Sequence, residues 1–388
     1  MAKWLILLLC VAAAIASNPP EGRKFLIYDV NPGEGFNLRR DVYMRIANTV
    51  RILRERGLDY VLVLAPWGNL YHWQRRERKK PWGEFFDLQS LAEFVPVMEF
   101  EEFLKENGPI IEKVVYLQNY AEGWSNGNFE MKSDERECIS ADRYYRKEGD
   151  LWQGIFFSYE NVQAKELVCL SIQGQSKTLA DAIETKYADS TSIFIDRGET
   201  ILHDEFGGFD YWAARKSMKY SKEVQHLSEV FMGHELKEPF MCVHLRRRDF
   251  VRSHGKDIPS IEGAAKQIAK LAREKRLQLL YLSTDAEEFE VEELKELLQG
   301  KLEIKRFEAS AVSDGAASVI DQWICAHSDY FTGTHHSTFS FRIHEDREIL
   351  GYPPENTFNR LCADGEATCE QPIKWRIVHE RRKNHWEL

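Results

Sequence analysis

The 388 residues predict an α/β fold in which two units stand in series and face a central cleft. Residues 24–64 read as strand, glycine-bearing turn, helix and strand, the grammar of a βαβ unit. From Phe240 onward the same grammar returns, with no internal repeat or low-complexity segment between. The length suits two ordinary domains. Hydrophobic residues at 43% and aromatics at 12% are enough for two cores, which argues against a disordered chain.

Lys24 to Val30 is an apolar run that suits a first strand, and Asn31-Pro32-Gly33-Glu34-Gly35 is a tight turn by composition. Asn37 is placed to cap the following helix, where Val42, Ile46, Val50 and Leu53 form one apolar stripe. Tyr60 to Leu64 is the next strand. Trp67, Trp73 and Trp82 flank the basic run Arg75 to Lys80, which suits either a sugar or acidic partner or a solvated loop over packed tryptophans. Phe94 to Phe100, weakened by Pro96, and Lys113 to Leu117 are further strands. Asn126 to Asp150 is polar and reads as a loop region held by Cys138. The first half closes near Phe209, and Ala214 to Leu236 is a mostly helical connection.

Phe240 to His244 opens the second half and breaks into Arg246-Arg247-Arg248-Asp249. Ser260 caps a helix with Ile261, Ala264, Ile268 and Leu271 on one face. Leu277 to Leu282 is a strand leading into Ser283-Thr284-Asp285, and Glu287 to Leu298 an amphipathic helix. Asp314 to Ala326 is a helix that carries Val319, Ile320, Trp323 and Ile324 inward. Tyr330 to Thr332 is a strand. It leads through Gly333 to Ser337 and Thr338, where a helix over Phe339 to Leu350 begins, stopped by Gly351 and Pro353.

A net charge of −10 and a pI near 5.7 argue against nucleic acid as a principal partner. Met1 to Ser17 reads as a secretory signal with a small-residue cleavage site at Ala14-Ile15-Ala16, and a single-pass anchor is the alternative. No later stretch is apolar for long enough to span a bilayer. Removing the signal takes Cys10 and leaves six cysteines, which suggests disulfides in an oxidising compartment. Cys362 and Cys369, close together in an Asp/Gly segment, are the pair that spacing supports. No Asn-x-Ser/Thr acceptor occurs.

Three segments carry candidate chemistry: Gly33 to Asn37, His244 to Asp249, and Gly333 to Phe339. In open α/β sheets ligands lie beyond the carboxyl ends of the strands, and arginine grips phosphate oxygens with two prongs. Arg246 opposite the amides and hydroxyls of Ser337 and Thr338 would make a two-sided phosphate clamp. A solvated basic turn is the plainer reading of the arginines. Glu34, flanked by glycines at a strand end, suits a general base or an exposed turn glutamate. Asp321 suits a purine acceptor or a loop cap. No metal site is expected: His335 and His336 are adjacent and should point apart, and no Asp-x-Asp pair or Walker loop occurs.

Four long motifs carry a resemblance: Asp29 to Asp41, Val243 to Phe250, Asp321 to His327 and Ser337 to His344, with Tyr120 to Trp124 and Cys369 to Pro372 in the same order. Together they resemble the protein O-fucosyltransferase family, in its type 2 branch. The resemblance implies a GT-B glycosyltransferase fold of two Rossmann-like domains facing a central cleft. It implies a signal at 1–16, an acceptor-side domain over 22–215 with the catalytic loop, and a GDP-fucose domain over 216–388. It further implies an inverting peptide-O-fucosyltransferase of the endoplasmic reticulum lumen, acting on Ser or Thr of folded thrombospondin type 1 repeats. A monomer is expected, with no cofactor and no metal requirement.

Matched motif by motif, Glu34 is the catalytic base and Arg246 the diphosphate arginine. Gly33, Gly35, Phe36, Asn37, His244, Leu245, Asp249, Asp321, Ser337, Thr338 and Phe339 line the GDP-fucose site. The same matching implies disulfides Cys138–Cys169 and Cys362–Cys369 and suggests Cys242–Cys325 as a third. Gly33 stands where the family carries a second proline, and His335-His336 replace smaller residues. His-Trp-Glu-Leu at the C-terminus is a poor likeness of a retrieval tetrapeptide. The sister enzymes that act on EGF-like repeats carry Asn in the first loop, so Glu34 argues against that acceptor. A non-catalytic lumenal binding protein with a relic site is the alternative of another class.

Overall fold

The expected opening unit is present as β1 (Lys24–Tyr28), α1 (Phe36–Glu55) and β2 (Tyr60–Leu64). The structure, a computed structural model, describes residues 22–372 apart from 69, 71, 74, 76, 124–128, 309, 311 and 358. The signal expected at 1–16 and the C-terminal His-Trp-Glu-Leu lie outside the described residues.

The first sheet continues through α2 (Leu88–Ala92), β3 (Val97–Glu99), α3 (Phe100–Asn107) and β4 (Ile110–Gln118). Then come β5 (Lys132–Glu135), β6 (Arg146–Glu148), β7 (Leu151–Gln153), β8 (Gln163–Gln173), α4 (Ser176–Lys186), β9 (Ser192–Asp196) and α5 (Phe209–Ser217). Its order is β3-β2-β1-β9-β4-β8-β7-β6, with β5 added to β8. Pro96 keeps β3 short and at the edge, where a missing N–H is tolerated. The strands from β3 to β8 run parallel, and β5, β6 and β7 attach antiparallel.

The second sheet starts after α6 (Lys222–Glu235) with β10 (Phe240–Leu245), α7 (Arg248–Ser253), α8 (Ile261–Lys275) and β11 (Leu279–Thr284). It ends with α9 (Glu288–Leu298), β12 (Glu303–Lys305), α10 (Asp314–Ala326), β13 (Tyr330–Gly333), α11 (Thr338–Leu350), α12 (Pro354–Thr357) and β14 (Asn359–Arg360). All five strands are parallel in the order β12-β11-β10-β13-β14. The chain therefore reverses direction between β10 and β13, as it does between β1 and β9 in the first sheet. Such reversal points open crevices at the carboxyl edges of the strands.

Val42, Ile46, Val50 and Leu53 are all buried on the inner face of α1, as their spacing predicts. Each such side chain contributes roughly 1.5–3 kcal/mol relative to exposure. The two expected cores are in fact three apolar clusters. The largest runs through both halves, from Leu26 and Val42 past Trp212 to Ile320 and Ile343. The others lie on the outer faces of the first and second sheets. Trp67 and Trp82 are buried against Phe86 in the shared cluster, so these tryptophans are packing residues. Arg75 in the basic run does more than meet solvent. Its backbone N–H donates to Asp314 Oδ2 at 2.7 Å and its guanidinium donates to the Ser310 carbonyl at 3.2 Å, strapping the first half to the second.

All three disulfides form. Cys138–Cys169 pins the polar segment before β6 onto β8, Cys242–Cys325 joins β10 to α10, and Cys362–Cys369 closes a short loop beyond β14.

Candidate active site

One cavity of about 1910 Å³ opens where the carboxyl edges of the two sheets face each other. The turn after β1, the end of β10 and the start of α11 all line it. So do Gly33, Glu34, Gly35, Phe36 and Asn37 from the first half, and His244, Arg246, Asp249, Asp321, Ser337, Thr338 and Phe339 from the second.

Asn31 to Glu34 is a type II turn in residue choice and bonding: Pro32 precedes Gly33, and the Glu34 N–H donates to the Asn31 carbonyl at 3.1 Å. Gly33 has φ 105°, a value open to glycine and closed to proline. The turn is tethered on both sides. Asn31 N–H donates to Glu199 Oε2 at 3.0 Å, and Arg197 beyond β9 donates to the Asn31 side chain. Arg39 Nε donates to the Glu34 carbonyl at 3.1 Å, with its guanidinium 3.7 Å from Asp29. Glu34 thus sits on a braced turn at the cavity wall.

Arg246 is braced as well. Asp249 accepts from its Nη2 at 2.5 Å, and Asp285 lies 2.6 Å from its Nη1. His72 from the first half reaches Nη2, the nitrogen that Asp249 also engages, with its ring Nδ1 at 3.1 Å. Burial, and then Arg246 itself, lowers the proton affinity of His72, so its ring is a neutral partner. The His72 ring also lies beside Gly35, where a Cβ would stand 3.7 Å from it, so one imidazole lies between Glu34's turn and the Arg246 fork. Arg247 turns away and pairs with Glu290 at 2.7 Å, while Arg248 opens α7. Of the three arginines only Arg246 combines a cavity position with side-chain burial, at 12% exposure.

His244 is buried, stacks on Phe339 at 4.3 Å, and places Nδ1 2.8 Å from Ser340 Oγ. That hydroxyl also accepts from Thr334 N–H at 3.1 Å, and when it gives its own proton to Nδ1 the ring proton of neutral His244 stands on Nε2. Burial, reinforced by Arg246, pushes the His244 pKa down to about 3, so the ring donates as a neutral group. The Thr334 hydroxyl donates to the His244 carbonyl at 2.8 Å and accepts from Arg246 N–H at 2.9 Å, locking the end of β10 to the end of β13. Leu245 departs from expectation. Successive strand residues face opposite sides, so with His244 and Arg246 toward the cavity its side chain enters the outer core. α11 begins at Thr338 with no acidic residue in its first turn, leaving a positive helix end at the cavity.

Asp321 lies on α10 below this end. Tyr281 and Ser283 donate to its two oxygens, the latter at 2.8 Å. Burial raises its pKa to about 6 against those bonds. Asn37 does not cap α1: the cap position is Gly35, and Asn37 Oδ1 accepts from Gln322 Nε2 at 2.9 Å across the two halves. His335 and His336 do not point apart. The backbone at His336 is left-handed (φ 59°) and brings the rings to 3.6 Å. His72 and Asp285 are site residues that sequence reasoning missed. Asp285 had a signal, an acid at the carboxyl end of a strand next to Arg246's; His72 sits on a loop with none.

Two open, mainly parallel sheets whose carboxyl edges share one cavity are the architecture of a GT-B glycosyltransferase. The sequence profile described as GDP-fucose protein O-fucosyltransferase matches residues 25–350. The chain is 48% identical over 386 residues to GDP-fucose protein O-fucosyltransferase 2 of Caenorhabditis elegans, covering 92% of this chain and 91% of that protein. It is 43% identical over 403 residues to the Homo sapiens protein of the same name, covering 95% and 93%. A crystal structure of POFUT1 in complex with GDP-fucose superposes with a TM-score of 0.63 at 16% identity, covering 89% of this chain and 99% of that one. The chain belongs to the GDP-fucose protein O-fucosyltransferase family, and it is a glycosyltransferase.

Proposed function

We propose that the protein transfers L-fucose from GDP-β-L-fucose to a Ser or Thr hydroxyl of a folded thrombospondin type 1 repeat, with inversion at the anomeric carbon. The observation that carries this reading is the shared cavity of Glu34, Arg246 and the α11 start. Glu34 takes the acceptor proton as the hydroxyl attacks C1. Arg246, His244 Nε2–H and the first amides of α11 take up charge on the departing diphosphate, where preorganised donors act most strongly. Asp321 accepts from the N–H edge of the guanine, and Phe36, Asn37 and Phe339 complete the wall. Residues 22–215 serve as the acceptor lobe and 216–388 as the donor lobe. A required metal has no part in this scheme.

The names of the relatives favour the type 2 branch, and Glu34 in the first loop favours thrombospondin over EGF-like repeats. Three disulfides suit the lumen of the endoplasmic reticulum. No helix among the described residues is long and apolar enough to cross a membrane. The test offers both folded repeats with GDP-fucose. Fucose on the thrombospondin repeat alone is the expected result, and fucose on the EGF-like repeat alone would reassign the acceptor.

A further inference from the structure

We propose that Asp257, His335 and His336 form a site for one divalent transition-metal ion at the lip of the cavity, and that the bound ion contacts the diphosphate beside it. The second half of this proposal rests on the reading of the cavity as a GDP-fucose site; the first does not.

One ligand atom from each of the three side chains lies within 4.8 Å of the other two. Adjacent residues rarely aim at one point, because extended or helical backbone turns their side chains apart. Here His336 adopts a left-handed conformation, which costs a non-glycine residue about 1–2 kcal/mol. That turn brings the two rings to 3.6 Å with an interplanar angle of 30°. Observed strain of this kind at a cavity points to function.

Two imidazoles and one carboxylate are the donor set of zinc and its neighbours in the first transition row. Three protein ligands leave coordination positions for other oxygens. The triad is half-buried on its inner side, while His336 is exposed and lines the cavity next to Ser337 and Thr338. A second geometric cluster, Cys362 with Glu366 and Cys369, is not a competing site, because its two sulfurs are bonded to each other.

The test uses the full chain, stripped with chelator and titrated with zinc chloride in a calorimeter near neutral pH. One ion is expected to bind. His335→Ala/His336→Ala should weaken it by at least roughly the 10–100-fold seen for lesser changes around metal sites. Asp257→Asn should weaken it too, and decides the matter if the double variant fails to fold. Absence of zinc binding, or equal affinity in the folded variants, overturns the site. GDP is then titrated with and without one equivalent of zinc. Tighter GDP binding with zinc in the natural protein only is expected, by reciprocity of linked ligands. Zinc that binds the triad yet leaves GDP affinity unchanged overturns the contact with the diphosphate. Failure of GDP to bind under either condition counts against the reading of the cavity, while the zinc titration still decides the triad.

Discussion

Arg246 and Asp285 form an ion pair of 2.6 Å at the point where β10 and β11 end. With Asp249 on its other nitrogen, the guanidinium is oriented before any ligand arrives. Replacing it by alanine is expected to abolish transfer and weaken GDP binding together, with a rate loss on the order of 10²-fold or more. Arg246→Lys should not rescue, because one ammonium cannot span two carboxylates and a diphosphate. Calorimetric GDP affinity beside the transfer rate checks both; unchanged affinity in Arg246→Ala would contradict the clamp.

Asp321 gives a pH signature. Burial holds its pKa at about 6, so the carboxylate, which the proposed function assigns to the guanine, is protonated as pH falls below that value. GDP affinity should drop across that range in the natural protein. Asp321→Asn should remove the Asp321-dependent part of the drop, separating it from titration of the phosphate itself. Stability carries the opposite sign. A carboxyl whose folded pKa is raised favours folding while protonated, and this contribution is lost as pH rises from about 4 to about 6. Melting curves of the two proteins over that window measure it.

Gly33 stands where the resemblance leads one to expect a second proline, and its φ of 105° is one that proline cannot adopt. Gly33→Pro is expected to deform the turn that presents Glu34 and to cut the transfer rate with little change in GDP affinity. Gly33→Ala should act in the same direction more mildly, since alanine reaches positive φ at a cost of about 1–2 kcal/mol. Transfer assays paired with GDP titrations distinguish this from general unfolding.

Cys242–Cys325 closes a sequence separation of 83 residues between β10 and α10, both partners fully buried. Chain-entropy reasoning assigns such a loop up to about 4–5 kcal/mol. Cys242→Ala/Cys325→Ala should therefore unfold at clearly lower denaturant than the natural protein, as followed by tryptophan fluorescence. An unchanged midpoint would mean that packing alone holds the strand to the helix.

Much of this was legible in the residues, for identifiable reasons. Ser260 caps α8 through Gly263 N–H at 3.0 Å, and α10 spans the expected Asp314 to Ala326, because capping and periodicity are local signals. The strand β5 was not legible: Lys-Ser-Asp-Glu has no strand preference and is extended only because it pairs with β8. The β8 strand was missed because its first half is mostly polar and partly exposed, while the continuous buried run lies only in its second half. In the site, motifs delivered Glu34, Arg246 and Asp321, whose neighbours in sequence are also neighbours in function. His72, the Asn37–Gln322 bond and the stacked His335-His336 pair depend on contacts between distant segments or on one backbone angle, which spacing does not encode.

The claim on which the rest depends is that Glu34 supplies the base in the cavity that Arg246 closes. Fucose transfer to a folded thrombospondin repeat by Glu34→Ala, measured beside its GDP affinity, tests it most directly. Retained GDP binding with transfer reduced to near background is the expected result. Transfer near the natural rate would contradict it and move the base elsewhere.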